Sequence, residues 1–276
     1  MTALISVLIP AYNRADTIER CIRSAQSNSY RNLQIIVADN GSTDDTLAIV
    51  RRIATDDPRL QIIAHASNRG PIANWRSCLD AARGDFIHWL WSDDWIEPEF
   101  YGALMSRMHE RKADIAFAGV RMICQAEGWS FIKHSLPDRG TSPREMLRIG
   151  LEGRDLPVSP AACLLSRQVC TRHFHEQIPA AGHLDCSGKG IGCDALMILG
   201  ALHEATAIAC VPEPLVNFNV HQNSISIANG DVLLASHYAW ARLWWSRRLS
   251  LPRAWGAFDF LRLLRGRCYA AFLRSL

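Results

Sequence analysis

No two of the nine cysteines stand in a C-x-x-C pair, and their number is odd. Several lie within apolar stretches, where a free thiol behaves as a small hydrophobe. This argues against a disulfide framework and for a reducing, cytoplasmic setting. No uncharged apolar run reaches the ~18 residues that a bilayer span needs. Met1-Thr2-Ala3 enters a strand-like run without a basic segment, so no secretory leader is expected. Internal repeats and low-complexity tracts are missing too. Charged residues make up 21% and apolar residues 49%, which excludes disorder and supplies a sizeable core. Lysine is absent from residues 237–276, where eight arginines against the single acid Asp259 give +7. The whole chain of 276 residues carries only +3, which leaves −4 for the first 236 residues. The basic balance therefore belongs to the tail, and a nucleic-acid partner is not expected.

What is present is a pair of acidic sites in the first hundred residues, each just after an apolar run. Leu33 to Ala38 leads into Asp39-Asn40-Gly41-Ser42-Thr43-Asp44, and Phe86 to Trp91 leads into Ser92-Asp93-Asp94. Strands are expected at 4–9, stopped by Pro10, and at 33–38, 60–64 and 86–91. Helices are expected over 15–28, 44–55 (capped by Ser42 or Thr43) and 72–82. Such alternation predicts an α/β fold whose mostly parallel sheet is flanked by helices, with ligands at the carboxyl ends of the strands. The middle is less regular. A helix over 98–111 precedes a strand near 114–122, and 125–142 reads as a loop or hairpin. Helices follow at 143–152 and 194–204, then a strand at 208–211 stopped by Pro212. From 231 the pattern is helical and rich in Trp and Arg.

Carboxylates at strand ends can hydrogen-bond a sugar or a base edge and can hold a hard divalent cation. Asp39 gains weight from Pro10-Ala11-Tyr12-Asn13 at the end of the neighbouring strand, because a ring and an acid there can stack on a base and bond its edge. Asp93 and Asp94, two adjacent like charges, need a cation or ordered donors to offset their repulsion, and Mg²⁺ or Mn²⁺ shared with substrate phosphates fits. The alternative is a solvated turn capping the next helix. Arg69 and Arg76 can each approach a diphosphate, or be plain surface charges. His173 and His175 have strand-like metal spacing, with Glu176 alone as an acidic neighbour, and make a poor zinc site.

In combination these segments resemble glycosyltransferase family 2, the inverting enzymes of the GT-A fold. The resemblance rests on Ser6-Val7-Leu8-Ile9-Pro10-Ala11-Tyr12-Asn13, on Ile35 to Thr46, on Asn68-Arg69-Gly70 and on Ala82-Arg83-Gly84-Asp85-Phe86-Ile87, in that order. It is strong over 4–100, traceable to about 227, and absent from the last fifty residues. It implies that Pro10, Ala11, Tyr12 and Asp39 line a nucleotide-base pocket with Asn68 beside it. Asp93 matches the last acid of the family's D-x-D metal motif, whose first acid is Trp91 here. Phe174-His175-Glu176 followed by Asp194 is similar to the block ending in the general base, with Cys193 in place of the usual preceding acid. Asp194 is thus the expected base and Asp185 the reserve. Pro214 to Ser226 is similar to the closing block, whose histidine, His221, can reach metal or diphosphate, while Asn219 stands where an arginine is common.

The organisation implied is a transferase domain over 1–228, with a nucleotide part at about 1–100 and an acceptor part at about 101–228, then a helical basic amphipathic extension over 229–276. The reaction implied is metal-dependent inverting transfer from a nucleotide-activated sugar, UDP-linked, to a saccharide or lipid-linked saccharide acceptor in surface polysaccharide or glycolipid assembly. A catalytically inactive nucleotide-sugar scaffold is the alternative that Trp91 and Cys193 keep open. A nucleotidyltransferase is disfavoured, because Pro10 to Arg14 holds no glycine. The tail suits either an anionic membrane surface at the inner face of the cell membrane or packing on the protein itself.

Overall fold

The computed structural model describes residues 2–134, 141–153, 159–179, 185–221, 224 and 230–249. Four strands, β1 (Ile5–Ala11), β2 (Leu33–Asp39), β3 (Leu60–Ala64) and β4 (Phe86–Trp89), alternate with helices α1 (Ile18–Gln26), α2 (Thr46–Ala54) and α3 (Pro71–Ala81). All four strands run parallel, in the order β3-β2-β1-β4. Every residue of β1 and β2 is buried, because helices cover both faces of the sheet. Alternate side chains enter opposite cores. Leu8, Ile36, Ile87 and Trp89 join one apolar cluster with Trp75 of α3. Val7, Ile9, Ile35 and Val37 join the other with Ile18, Cys21, Ile22 and Ala25 of α1, the face that the sequence spacing predicts.

The second half continues the same sheet. After β5 (Trp95–Ile96) and α4 (Phe100–Arg111) come β6 (Ile115–Cys124), β7 (Trp129–His134) and α5 (Pro143–Leu151). These are followed by β8 (Cys163–Ser166), α6 (Arg167–His173), the single turn α7 (Cys186–Lys189), α8 (Cys193–Glu204) and β9 (Ile208–Asn219). The final described element is α9 (Gly230–Arg248). Antiparallel β8 joins β4 to β6, β6 and β9 run parallel, and β5 closes antiparallel on β9. Among the described residues this gives a nine-stranded mixed sheet, with four parallel and four antiparallel pairings.

Three sequence expectations change. Pro212 does not stop the last strand: β9 runs on to Asn219 through a register shift opposite Gly119. A Cβ at Gly119 would lie 2.5 Å from the Pro212 carbonyl oxygen, so the glycine admits the irregularity. Ser42 and Thr43 do not cap α2. Its N-cap is Asp45, and the Thr46 amide donates to Asp44 Oδ1 at 3.0 Å. Strand β8 was unforeseen, four residues set between a 3₁₀ turn (Pro160–Ala162) and α6. The 125–142 segment forms a hairpin as far as His134, and 135–140 lies outside the described residues.

Helix α9 packs against α8. Trp245 Nε1 donates to the Leu196 carbonyl at 3.2 Å, and Ala239, Ala241, Leu243 and Trp245 are all buried. Buried positions two apart point to different sides of a helix, so α9 is enclosed rather than striped. Residues 250–276, which hold most of the arginine-rich tail, lie outside the described residues.

Candidate functional site

The parallel register sets Ala11 beside Asp39 at the carboxyl ends of β1 and β2. Asp39 is fully buried. Its Oδ2 accepts the Ser42 amide at 3.1 Å, while Oδ1 is buried without a hydrogen-bond partner. Asn74 of α3 donates to the Ala38 carbonyl at 2.9 Å, and its own Oδ1 is likewise buried and unpartnered. Unmet acceptors at the end of a sheet are costly unless a ligand supplies donors. Tyr12, next along from Ala11, is 39% exposed.

The turn around these acceptors is braced from both sides. Asn13, at φ +50°, donates through its amide to Ser42 Oγ (2.9 Å) and accepts the Thr43 amide on Oδ1 (2.9 Å). This explains why Ser42 and Thr43 are unavailable to α2. Asn40 donates to Asn68 Oδ1 at 3.0 Å and accepts the Arg69 amide at 3.0 Å, which ties the Asn68-Arg69-Gly70 loop to β2. Gly41 is required there: its φ is +71°, and a Cβ would sit 2.6 Å from the Ser67 carbonyl carbon.

Past β4 the chain turns through Trp91-Ser92-Asp93-Asp94. His221, just beyond β9, brings Nε2 to 2.9 Å from Asp93 Oδ2, and Arg14 Nε lies 4.0 Å from the same oxygen. Two remote segments therefore converge on Asp93. Asp94 points elsewhere: it is buried, and Oδ1 accepts the Asn219 amide at 2.9 Å. Burial, and then the neighbouring Asp93 charge, pushes the Asp94 carboxyl well above the usual carboxylate range. Trp91 packs on Trp75 with ring centroids 4.8 Å apart and donates to Ser159 Oγ at 2.9 Å. Among the described residues no three His, Cys, Asp or Glu side chains converge as a metal site.

Asp194 lies in the first turn of α8 and is 7% exposed. Oδ1 accepts the amides of Gly192 (3.1 Å) and Ala195 (2.9 Å), and Oδ2 accepts the Tyr238 hydroxyl of α9 (2.9 Å). Burial pushes the carboxyl up to about 6, against the pull of these three bonds. Gly192 adopts φ +89°, and a Cβ there would meet Ile178 Cδ1 at 2.7 Å. The preceding loop reaches the start of α3, since a Cβ on Gly190 would lie 3.1 Å from Pro71. Asp185, by contrast, is exposed and caps α7 through the Gly188 amide.

The sequence pattern of glycosyl transferase family 2 matches residues 6–174. The chain belongs to that family. A glucosyltransferase of Campylobacter jejuni, the GalNAc(5)-diNAcBac-PP-undecaprenol beta-1,3-glucosyltransferase, is 33% identical over 112 residues, 40% of this chain and 36% of its own length. The match thus spans about a third of that curated relative. The succinoglycan biosynthesis protein ExoO of Rhizobium meliloti is 29% identical over 86% of this chain and 68% of its own length. Among solved structures, S. aureus TarS 1-349 in complex with UDP-GlcNAc superposes with a TM-score of 0.66 at 19% identity, over 94% of this chain and 70% of that one. The mannosyltransferase PcManGT of Pyrobaculum calidifontis, in complex with GDP-Man and Mn²⁺, gives 0.59 at 16% identity, over 96% and 69%. These likenesses show the GT-A fold.

Within this glycosyltransferase fold some candidates stand apart from the strand ends. Arg76 pairs with Glu176 (3.1 Å) and lies over the Phe174 ring, 4.5 Å from its centroid. His173 bonds Glu204 at 2.9 Å, and the His175 ring meets Trp244 at 5.4 Å, so these two histidines serve packing between helices. Sequence reasoning missed Asn40, Asn74 and Tyr238. Asn40 carried a local signal, since an Asn following a strand-end acid is placed to bond the next loop. Tyr238 carried none, because its partner is 44 residues away.

Proposed function

We propose that the chain moves a sugar, with inversion, from a nucleoside diphosphate donor, UDP-linked, to a hydroxyl of a saccharide or lipid-linked saccharide. The observation that carries this reading is Asp39 Oδ1, a buried acceptor without a partner at the end of a parallel strand. The imide N–H of a uracil is the donor it lacks, and the exposed Tyr12 ring offers a stacking face. Pro10, Ala11 and Asn13 shape the same strand end, and Asn68 is positioned beside it by Asn40.

Asp93 and His221 fit a cation site of modest ligand number, one carboxylate and one imidazole, with phosphate oxygens and water completing the shell. A Mg²⁺ or Mn²⁺ ion bound there would offset the charge of the departing diphosphate. Asp94, which the sequence offers as a second carboxylate for the cation, braces Asn219 and so fixes the strand that delivers His221. Arg14 adds positive charge on the same side.

Asp194 is the general base. A carboxyl near 6 is mostly ionised at neutral pH, yet basic enough to take the acceptor's proton. The acceptor oxygen bonds the anomeric carbon as the bond to the diphosphate oxygen breaks, and the proton passes to Asp194. One displacement inverts the centre, with no covalent enzyme intermediate. We place the transferase unit at 1–228 with an extension over 229–276, and the setting in polysaccharide or glycolipid assembly at the inner membrane face. Relatives named for an undecaprenol-linked acceptor and for succinoglycan biosynthesis support that setting. No helix among the described residues is long and apolar enough to cross a membrane.

A binder that does not transfer is the second reading, favoured by Trp91 in place of an acid. Both are tested by incubating the full chain with a panel of UDP-sugars and Mn²⁺ and following UDP release and the anomeric proton signals. Release with an inverted product supports transfer. UDP-sugar binding without turnover of any donor leaves the binder.

A further inference from the structure

The Tyr238 hydroxyl donates to Asp194 Oδ2 from a helix that lies beyond the family-matched residues 6–174. We propose that Tyr238 is a positioning residue, which holds the Asp194 carboxylate in the orientation and ionised form that proton abstraction needs, so that α9 is part of the catalytic apparatus. This rests on Asp194 being the base.

The division of labour between the two carboxylate oxygens points this way. Oδ1 is taken by two amides at the start of its own helix, which fixes the carboxyl group but aims nothing. Oδ2 receives the phenol on one lone pair and keeps another for an acceptor hydroxyl. Burial by itself would favour the neutral acid, which cannot act as a base, and each donor to the carboxylate opposes that. A phenol supplies such a bond without a counter-charge that would quench basicity. Burial, and then Asp194 itself, pushes the Tyr238 phenol well above its ordinary range, so the proton stays on tyrosine.

Helix α9 is held firmly enough to aim the hydroxyl. Trp245 is 2% exposed and bonded to Leu196, two residues along α8 from Asp194. At Gly192 a Cβ would lie 3.2 Å from the His237 carbonyl oxygen, so the α9 backbone passes close against the N-terminus of α8. Among the described residues, Arg242, one turn further along α9, and Cys193 act electrostatically on Tyr238, and His237 precedes it on the helix facing Gly192.

The test uses the full chain with ¹³C-carboxyl aspartate, the Asp194 signal being assigned by Asp194→Asn. Tyr238→Phe keeps the ring and removes the hydroxyl. Loss of one donor to the charged form raises the Asp194 titration by about one pH unit. The acid limb of kcat for donor turnover moves with it, while the donor KM stays unchanged. If the phenylalanine variant unfolds, 3-fluorotyrosine at 238 keeps the shape and is a stronger donor, so it must shift the titration downward. An Asp194 titration that neither replacement moves, with Asp194→Asn inactive, overturns the role of Tyr238 alone. Full turnover by Asp194→Asn overturns the base assignment and this proposal with it.

Discussion

Two acidic centres of this member of glycosyl transferase family 2 are built in opposite ways. Asp39 stands at the end of a strand, and its braces come from the adjoining β1, β2 and β3 ends through Asn13, Ser42, Asn40 and Asn68. All of them lie within the first seventy residues. Asp194 stands at the start of a helix, and its setting is drawn from α8, the 188–192 loop and α9. The first centre leaves a buried oxygen unsatisfied; the second satisfies both oxygens and lifts the carboxyl instead. An open acceptor suits binding a ligand's donor, and a lifted carboxyl suits moving a proton. On the proposed reading, local construction serves recognition and long-range construction serves chemistry.

The sharpest way to separate them is Asp194→Asn. It should lower transfer by about 10²–10⁴-fold, as expected for loss of a general base, with UDP affinity unchanged. Calorimetry and turnover on one preparation check both halves, and a matching loss of UDP binding would dissolve the distinction. A stability measurement follows from the same carboxyl. Its folded value of about 6 exceeds the ordinary aspartate value of 3.8, so between these pH values the folded protein binds more protons than the unfolded chain. This contribution to stability is therefore full below the lower value and declines as pH rises through about 6. Relative to Asp194→Asn, wild type should lose roughly 3 kcal/mol between pH 3.5 and 7, read by urea unfolding. A constant difference would mean that the carboxyl is not lifted.

On the recognition side the expected effect is smaller. Asp39→Ala should weaken UDP binding by about 10- to 100-fold through a lost charged acceptor, and leave the acid limb of the rate profile in place. A shifted limb would show that the two centres are coupled. The smallest effect is expected at Arg76, whose ion pair with Glu176 is surface-exposed. Arg76→Ala should change stability by less than about 1 kcal/mol and UDP affinity by less than about threefold.

This contrast also governs how much could be read from the chain. Strands β1 to β4 and their helices were legible because apolar runs, turns and amphipathic faces are local patterns. Asp39 and Asp93 could be located because each directly follows such a run. Asp94 was read as a partner of Asp93, but its carboxylate turns to a backbone amide 125 residues away, which no local pattern encodes. The four residues of β8 are too few for periodicity to separate strand from turn. Pro212 misled because a proline stops a strand only where its missing N–H is needed, and here it sits at an irregularity opposite Gly119. The tail's interleaved Trp and Arg suggested a striped helix, whereas the described part of α9 is enclosed against α8.

The central claim is that one site holds base and diphosphate together, through Asp39 and through the Asp93–His221 pair. Calorimetric titration of UDP with and without Mn²⁺, on wild type and Asp93→Ala, tests it most directly. The account predicts binding that Mn²⁺ strengthens in wild type and no longer strengthens in Asp93→Ala. Failure of UDP to bind wild type with Mn²⁺ present, or an equal Mn²⁺ effect in both proteins, would contradict it.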